Sequence, residues 1–176
     1  VSANHGLGIP PALWEDLDRR LRARPASATT RTIMGEITNC LPHGCRGLAA
    51  RMVDLVHAAM SATPPDDHRL QSYWYHILGR ALLVLNRTAE ALDAFERSHA
   101  LDPDYLHPLF DLVQLHVTAG DRPAAEKALI RLMRANERSR FPRDHELLAV
   151  AQLVRALGRE EQTNERAQRA DPHQSE

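Results

Sequence analysis

A loose internal repeat constrains this chain more than any other feature. When the sequence is shifted by about 34 residues, large side chains fall on large ones, small ones on small, and turn residues on turn residues. The aligned pairs are Tyr75 with Leu109, Leu78 with Leu112, Asn86 with Gly120, Ala91 with Ala125, Phe95 with Leu129 and Ser98 with Leu132. Such a period predicts stacked units, because a single unit cannot bury its apolar face alone.

Each period has the pattern of two helices. Apolar residues recur at helical spacing, strand-type alternation is missing, and Gly, Pro or Asn separates the periodic segments. The sequence predicts helices over about residues 11–23, 30–41, 47–62, 68–85, 88–101, 105–119, 122–136, 144–157 and 159–170. The last two are predicted to be separate helices because Gly158 lies between them.

The first period carries the residues of a known repeat. In order, its eight marker positions are filled by Tyr75, Leu78, Gly79, Leu82, Ala91, Phe95, Ser98 and Pro103. This pattern resembles the tetratricopeptide repeat over residues 72–104. A second unit, over 105–136, is looser, and a third, which begins near His145, keeps only a few of the markers. The resemblance implies an all-α fold, a right-handed stack of antiparallel helix pairs that forms a tetratricopeptide-like α-solenoid.

The repeat suggests a division of the chain into three segments. Residues 1–67 are expected to hold irregular N-terminal helices with a Cys-turn-Cys element. Residues 68–136 are expected to hold two repeat units. Residues 137–176 are expected to form a degenerate capping helix pair and a polar tail, because the final helix has almost no apolar face.

The small and large residues of the first unit have a packing explanation. Gly79 and Ala91 are expected where two helices cross and a larger side chain would push them apart. Phe95 is expected to fill the space between one helix pair and the next. Truncation of Phe95 should therefore be costly.

The resemblance also implies a binding surface, because the first helix of each pair lines the inner face in this family. The inward positions of the chain include Tyr73, His76, Arg80, Val84, His107, Phe110, Gln114 and Val117. Their mixture of aromatic, polar and aliphatic groups suits a peptide or a helix of a protein partner. Family members that grip a C-terminal carboxylate use Lys and Asn, whereas this chain has His76, Arg80 and Asp111 there. That ligand is therefore not expected, and simple exposure to solvent is the alternative.

Composition and motifs argue against other function classes. The formal net charge is -1, so the basic excess typical of nucleic-acid binders is missing. The ten histidines are scattered and form no pair beside a carboxylate. No phosphate-binding loop or serine nucleophile motif occurs. The sequence therefore predicts no enzyme activity, no cofactor and no metal, and a buried, hydrogen-bonded role for most histidines.

Cys40 and Cys45 flank a short turn that contains Pro and Gly. A disulfide between them would join two helices and would place the chain in an oxidising compartment such as a bacterial periplasm. Two free thiols would indicate the cytoplasm instead. A metal site with His43 is the third possibility, although a structural zinc requires four ligands. The periplasm is the favoured prediction.

A second resemblance concerns what the whole protein does. A Cys-turn-Cys element before a helix, followed by one clear repeat and a degenerate one, is similar to the periplasmic C-terminal region of certain bacterial inner-membrane proteins. Those proteins are related to glycosyltransferases or to O-antigen polymerases. The resemblance implies a soluble domain of a membrane-bound glycan-processing enzyme, tethered by a membrane segment N-terminal to Val1. The oligomeric state stays open.

Overall fold

The computed structural model describes residues 11–40 and 46–170, and over these residues it contains eight α-helices and no β-strand. The helices are α1 (Pro11–Ala23), α2 (Ala28–Cys40), α3 (Arg46–Ala62), α4 (His68–Val84), α5 (Thr88–Leu101), α6 (His107–Thr118), α7 (Arg122–Arg138) and α8 (Asp144–Ala170). The predicted all-α class is confirmed, and most helix ends lie within two residues of the predicted ones.

Helix α8 corrects the predicted pair of C-terminal helices. It runs without interruption from Asp144 to Ala170 and passes through Gly158, so a capping helix pair does not form. Gly158 is buried and faces the side chain of Arg122. The residues around it are mostly good helix formers and include no proline, so the lower helix propensity of one glycine, about 1 kcal/mol, does not end the helix.

Helix α6 also begins later than predicted, at His107 instead of Tyr105. Residues 102–105 form a turn in which the Tyr105 amide donates to the Asp102 carbonyl at 3.0 Å, and the Asp104 amide donates to the Asp102 side chain at 3.2 Å. Pro108 then occupies the first turn of α6, where its missing amide hydrogen costs nothing.

The chain divides into two compact units, Val1–Tyr105 and Leu106–Glu176. In the first unit α4 pairs with α5, α3 packs against α4, α1 against α3, and α2 against α4. In the second unit α6 pairs with α7, and α8 packs against both. Helix α3 thus packs onto the first repeat and α8 onto the second, and the three segments with boundaries at 68 and 137 stay a prediction.

The turns inside the two helix pairs share one design. Asn86 has φ 60° and Gly120 has φ 71°, the left-handed conformation that ends a helix. The Arg87 amide donates to the Leu82 carbonyl at 2.9 Å, and in the second unit the Asp121 amide donates to the His116 carbonyl at 3.0 Å. Both bonds occupy equivalent places in the repeat, so the repeat seen in the sequence is also a repeat of backbone structure.

Candidate protein-interaction surface

The crossing of α4 and α5 has no room for a side chain at position 79. Gly79, Ala91 and Phe95 are all buried, and Phe95 and Ala91 are 0% exposed. A Cβ built on Gly79 would lie 2.5 Å from Cε1 and 2.7 Å from Cδ1 of Phe95. The predicted reason for small residues at this crossing is confirmed, and the aromatic ring packs directly against the glycine.

A pair of serines holds the same two helices together from inside. Ser72 Oγ donates to the Ser98 carbonyl at 2.7 Å, and Ser98 Oγ donates to the Ser72 carbonyl at 2.7 Å. Both side chains are 0% exposed. The sequence pattern places Ser98 only as a small residue, and it gives no sign of this reciprocal bond, because Ser72 lies outside the marker positions of the repeat.

The predicted binding position Tyr73 is partly covered by α2. Its hydroxyl donates to the backbone carbonyl of Arg31 at 2.7 Å, and a Cβ built on Gly35 would lie 3.6 Å from the same hydroxyl. Its ring also meets Trp74 edge-on, with 4.9 Å between the ring centroids. Burial raises the pKa of Tyr73 to about 12, with the charge of Arg31 acting in the opposite direction. Tyr73 is therefore largely engaged within the first unit.

His76 is a core residue, which corrects its assignment to the exposed inner face. It is 4% exposed, and its Nδ1 lies 2.7 Å from the hydroxyl of Tyr105. The Tyr105 ring meets the imidazole edge-on at 5.3 Å between centroids, and Phe95 lies on another side at 6.0 Å. Tyr105, in the turn after α5, fills the space that the sequence-based assignment left open for a ligand. The general prediction of a buried, hydrogen-bonded histidine holds here.

The remaining predicted positions of α4 are accessible in part. Arg80 and Val84 are half-buried, as is the neighbouring Leu83. Together they form a mixed polar and aliphatic surface near the C-terminal end of α4. This is the part of the predicted α4 surface that still has access to solvent.

In the second unit, one side of α6 is left partly open. Phe110 and Val117 are half-buried, Gln114 is exposed, and these three residues lie on the same side of the helix because they are separated by four and three positions. Leu109, Leu112 and Val113 are buried, and Val113 lies next to Phe110 and Val117 on the helix because it is three and four positions away from them. Phe110, Gln114 and Val117 thus form a partly accessible side of α6 that mixes apolar and amide groups, and we call it the α6 surface.

His107 lies at the start of α6 and is engaged within the second unit. The guanidinium of Arg143 contacts its ring, and the same guanidinium donates to Glu146 through Nε at 3.0 Å and Nη2 at 2.6 Å. These hydrogen bonds lower the pKa of Glu146. Sequence reasoning missed Arg143 and Glu146 beside His107, since the α7–α8 connection has no fixed place in the repeat.

A metal site, a membrane-spanning helix and a disulfide are the other features that the sequence raises. No three His, Cys, Asp or Glu side chains among them are grouped closely enough to hold a metal ion. None of the helices in this part of the chain has the length and apolar character to span a bilayer. The predicted bond between Cys40 and Cys45 lies outside the described residues, which include neither 41–45 nor the side chain of Cys40.

The fold and the repeated turns define a helical-repeat protein, and a family comparison identifies the repeat. The family model described as tetratricopeptide repeat matches residues 82–150. Residues 82–150 of this chain therefore carry tetratricopeptide-type repeat sequence. Such repeats generally act as modules that bind other proteins and typically lack catalytic function. No curated protein and no solved structure matches the chain.

Proposed function

We propose that this chain is a noncatalytic interaction module that binds a peptide or a short helix of a protein partner along the α6 surface. Phe110 and Val117 supply apolar contact, and Gln114 between them supplies an amide donor and acceptor. In the first unit, Arg80 and Val84 at the accessible end of α4 are the corresponding candidates. Metal ions, cofactors and nucleic acids have no part in this proposal.

The observation that carries the proposal is the partial exposure of apolar side chains on α6. A helix whose apolar groups lie on one buried side needs no partner. Here Phe110 and Val117 remain half-buried at the edge of the buried side, next to Val113, and Gln114 between them is exposed. A bound segment would complete their burial, and each fully buried side chain of this size contributes about 1.5–3 kcal/mol. The exposed amide of Gln114 would fix the register of the bound segment.

The first unit is the weaker candidate because its own chain covers part of α4. Tyr73 donates to the backbone of α2, and His76 is enclosed by Tyr105 and Phe95. A ligand at Tyr73 or His76 would first have to displace these contacts. The proposal therefore assigns the main role to the second unit.

A selection experiment tests this assignment. A random peptide library displayed on phage is selected against the purified chain, and the peptides obtained are measured by fluorescence anisotropy. Gln114→Arg should weaken their binding by at least about tenfold, as expected for a central contact residue. Gln152→Arg, the same substitution at an exposed position of α8, is the matched control and should leave binding unchanged. Peptides that bind both variants equally would refute a site on α6.

We also propose a periplasmic location, on the basis of the two cysteines. Helix α2 ends at Cys40 and α3 begins at Arg46, immediately after Cys45, so the two residues flank a short connection between helices. Alkylation of thiols in intact cells of the native host, followed by mass spectrometry, tests this. A quantitative disulfide supports a location outside the cytoplasm and a role as the soluble domain of a membrane-bound glycan-processing enzyme. Two alkylated thiols would refute both.

A further inference from the structure

The connection between α7 and α8 presents an aromatic side chain to solvent. Phe141 is 76% exposed, the highest value for any large apolar residue in the described part of the chain. The adjacent Pro142 is also exposed. An exposed phenylalanine beside an exposed proline forms a small apolar tip, and neither the repeat nor the proposed α6 surface gives it a role.

Hydrogen bonds hold this connection in a defined shape. Asn136 is 3% exposed, its Oδ1 accepts from the Arg143 amide at 2.6 Å, and its Nδ2 donates to Asp144 at 2.7 Å. Inside the loop, the Phe141 amide donates to Ser139 Oγ at 3.1 Å. A buried asparagine thus joins the end of α7 to the start of α8. These hydrogen bonds hold the loop in a shape that leaves Phe141 exposed, so the loop would not have to become ordered when it binds.

The same stretch has a strong local charge. Residues 131–143 contain five arginines and a single acidic residue, Glu137, in a chain whose formal net charge is -1. The arginines are Arg131, Arg134, Arg138, Arg140 and Arg143. The side chains of Arg134, Arg138 and Arg140 are exposed. Arg138 Nε donates to the Arg134 carbonyl at 2.9 Å, and Arg143 is bonded to Glu146. Arg138, Arg140 and Arg143 thus lie within three residues of Phe141 in the sequence, and the acidic Asp144 and Glu146 follow at the start of α8.

We propose that this loop docks the chain peripherally on an anionic lipid surface. Phe141 inserts at the level of the headgroups, and Arg134, Arg138 and Arg140 contact lipid phosphates. Aromatic insertion together with several basic residues is the combination that binds proteins to anionic membranes. Arginine suits this position because its aliphatic stem can lie in the interface while the guanidinium stays hydrated.

A lipid surface fits these features better than a protein partner. The apolar tip protrudes, whereas a peptide would need a groove to lie in. A single large side chain also provides far less contact area than the roughly 1,200 Å² of a stable protein interface. A fluid interface requires only shallow insertion, and the surrounding charge supplies the rest of the affinity. This docking is separate from the α6 surface.

Vesicle sedimentation tests the proposal with the whole chain. The protein is mixed with vesicles of phosphatidylcholine alone and of phosphatidylcholine with phosphatidylglycerol, at low and high salt. Binding should require phosphatidylglycerol and weaken as salt rises. Phe141→Ser should reduce binding by at least about tenfold, because it removes the aromatic side chain that the lipid interface would bury. Arg138→Gln and Arg140→Gln should each reduce it about fivefold.

Matched control variants distinguish this site from nonspecific binding through charged or exposed apolar side chains elsewhere on the chain. Arg19→Gln and Arg22→Gln remove the same charge from α1, and Leu153→Ser removes another exposed apolar side chain, from α8. These variants should bind like the unaltered chain. The proposal is refuted by failure to bind anionic vesicles, by equal binding to phosphatidylcholine alone, or by equal losses in the controls. A further outcome also refutes it: polyglutamate, added at the same total charge as the anionic lipid, releases the chain from the vesicles, and Phe141→Ser has no effect on binding. The ligand would then be a soluble anion and not a lipid surface.

Discussion

The ring of Phe95 occupies the space in which a side chain on Gly79 would begin. The nearest ring atoms lie 2.5 and 2.7 Å from the position of a Cβ, closer than any real contact of that kind, and Phe95 has no solvent-exposed surface. The two residues therefore form one packing unit, because the ring of Phe95 fits only where residue 79 has no side chain. This contact joins α4 to α5, the helix pair that matches the repeat best.

Gly79→Ala should destabilise the protein. Alanine favours a helix over glycine by about 1 kcal/mol, but here its methyl group would push against the fully buried ring of Phe95. Overpacking of this kind costs about 1–3 kcal/mol, so we expect a net loss in the free energy of unfolding measured with urea. Gly47→Ala is the control, since a Cβ there meets nothing within 4 Å. It should leave stability unchanged or raise it by up to about 1 kcal/mol. Equal effects of the two substitutions would contradict the packing unit.

Phe95→Ala should cost about 3–5 kcal/mol, because it removes a fully buried aromatic ring and leaves a cavity. Adding Gly79→Ala to this variant should then be harmless or slightly stabilising, since the methyl group enters the vacated space. A double-mutant cycle in urea measures this coupling. A Gly79→Ala effect that is the same with and without Phe95 would show that the two residues do not interact.

Gly158→Ala should have the opposite sign to Gly79→Ala. A Cβ on Gly158 would lie 2.8 Å from Cζ of Arg122, the far end of a flexible side chain that can turn away. The gain in helix propensity in the middle of α8, up to about 1 kcal/mol, should therefore exceed the cost. Thermal and urea unfolding should show equal or higher stability. A clear loss would mean that the Arg122 side chain is held rigidly in place.

Stability should fall as the pH rises from about 10 to 12, in part because of Tyr73. Its pKa is about 12 in the folded chain and near 10 when exposed, so in this range the unfolded chain loses a proton that the folded chain retains. This stabilisation is fully present below pH 10 and is lost as the pH rises through the folded pKa, with an upper limit of about 3 kcal/mol for a shift of two pKa units. Urea unfolding at several pH values should show a shallower decline in Tyr73→Phe. The same decline in both proteins would contradict the raised pKa.

The sequence predicts the first repeat well because its marker residues are fixed by local packing. Gly79 and Ala91 are buried as predicted, and Asn86 and Gly120 form the expected turns. Phe95 was expected to lie between one helix pair and the next, but its ring packs against Gly79 within its own pair. These features depend on contacts within one helix pair, which a period in the sequence can reveal. The class of protein follows from the same residues.

The parts that sequence reasoning missed depend on residues outside the repeat pattern. His76 was assigned to the inner face by its place in the repeat, but Tyr105, in the turn that follows α5, reaches back and encloses it. Tyr73 is engaged by α2, whose position no repeat specifies. Gly158 looked like a helix end, yet its neighbours continue the helix. For His76 and Tyr73, the family pattern assigns the residue to a helix but does not specify which residues pack against it.

The most direct test of the interaction function is site-specific photo-crosslinking in the native host. A photo-reactive amino acid is placed at Gln114 on α6 and, as a control, at Gln152 on α8, both of which are exposed. The account predicts a discrete polypeptide adduct at position 114 and none at position 152. No adduct at 114, or the same adducts at both positions, would contradict the proposal that the α6 surface binds a protein partner.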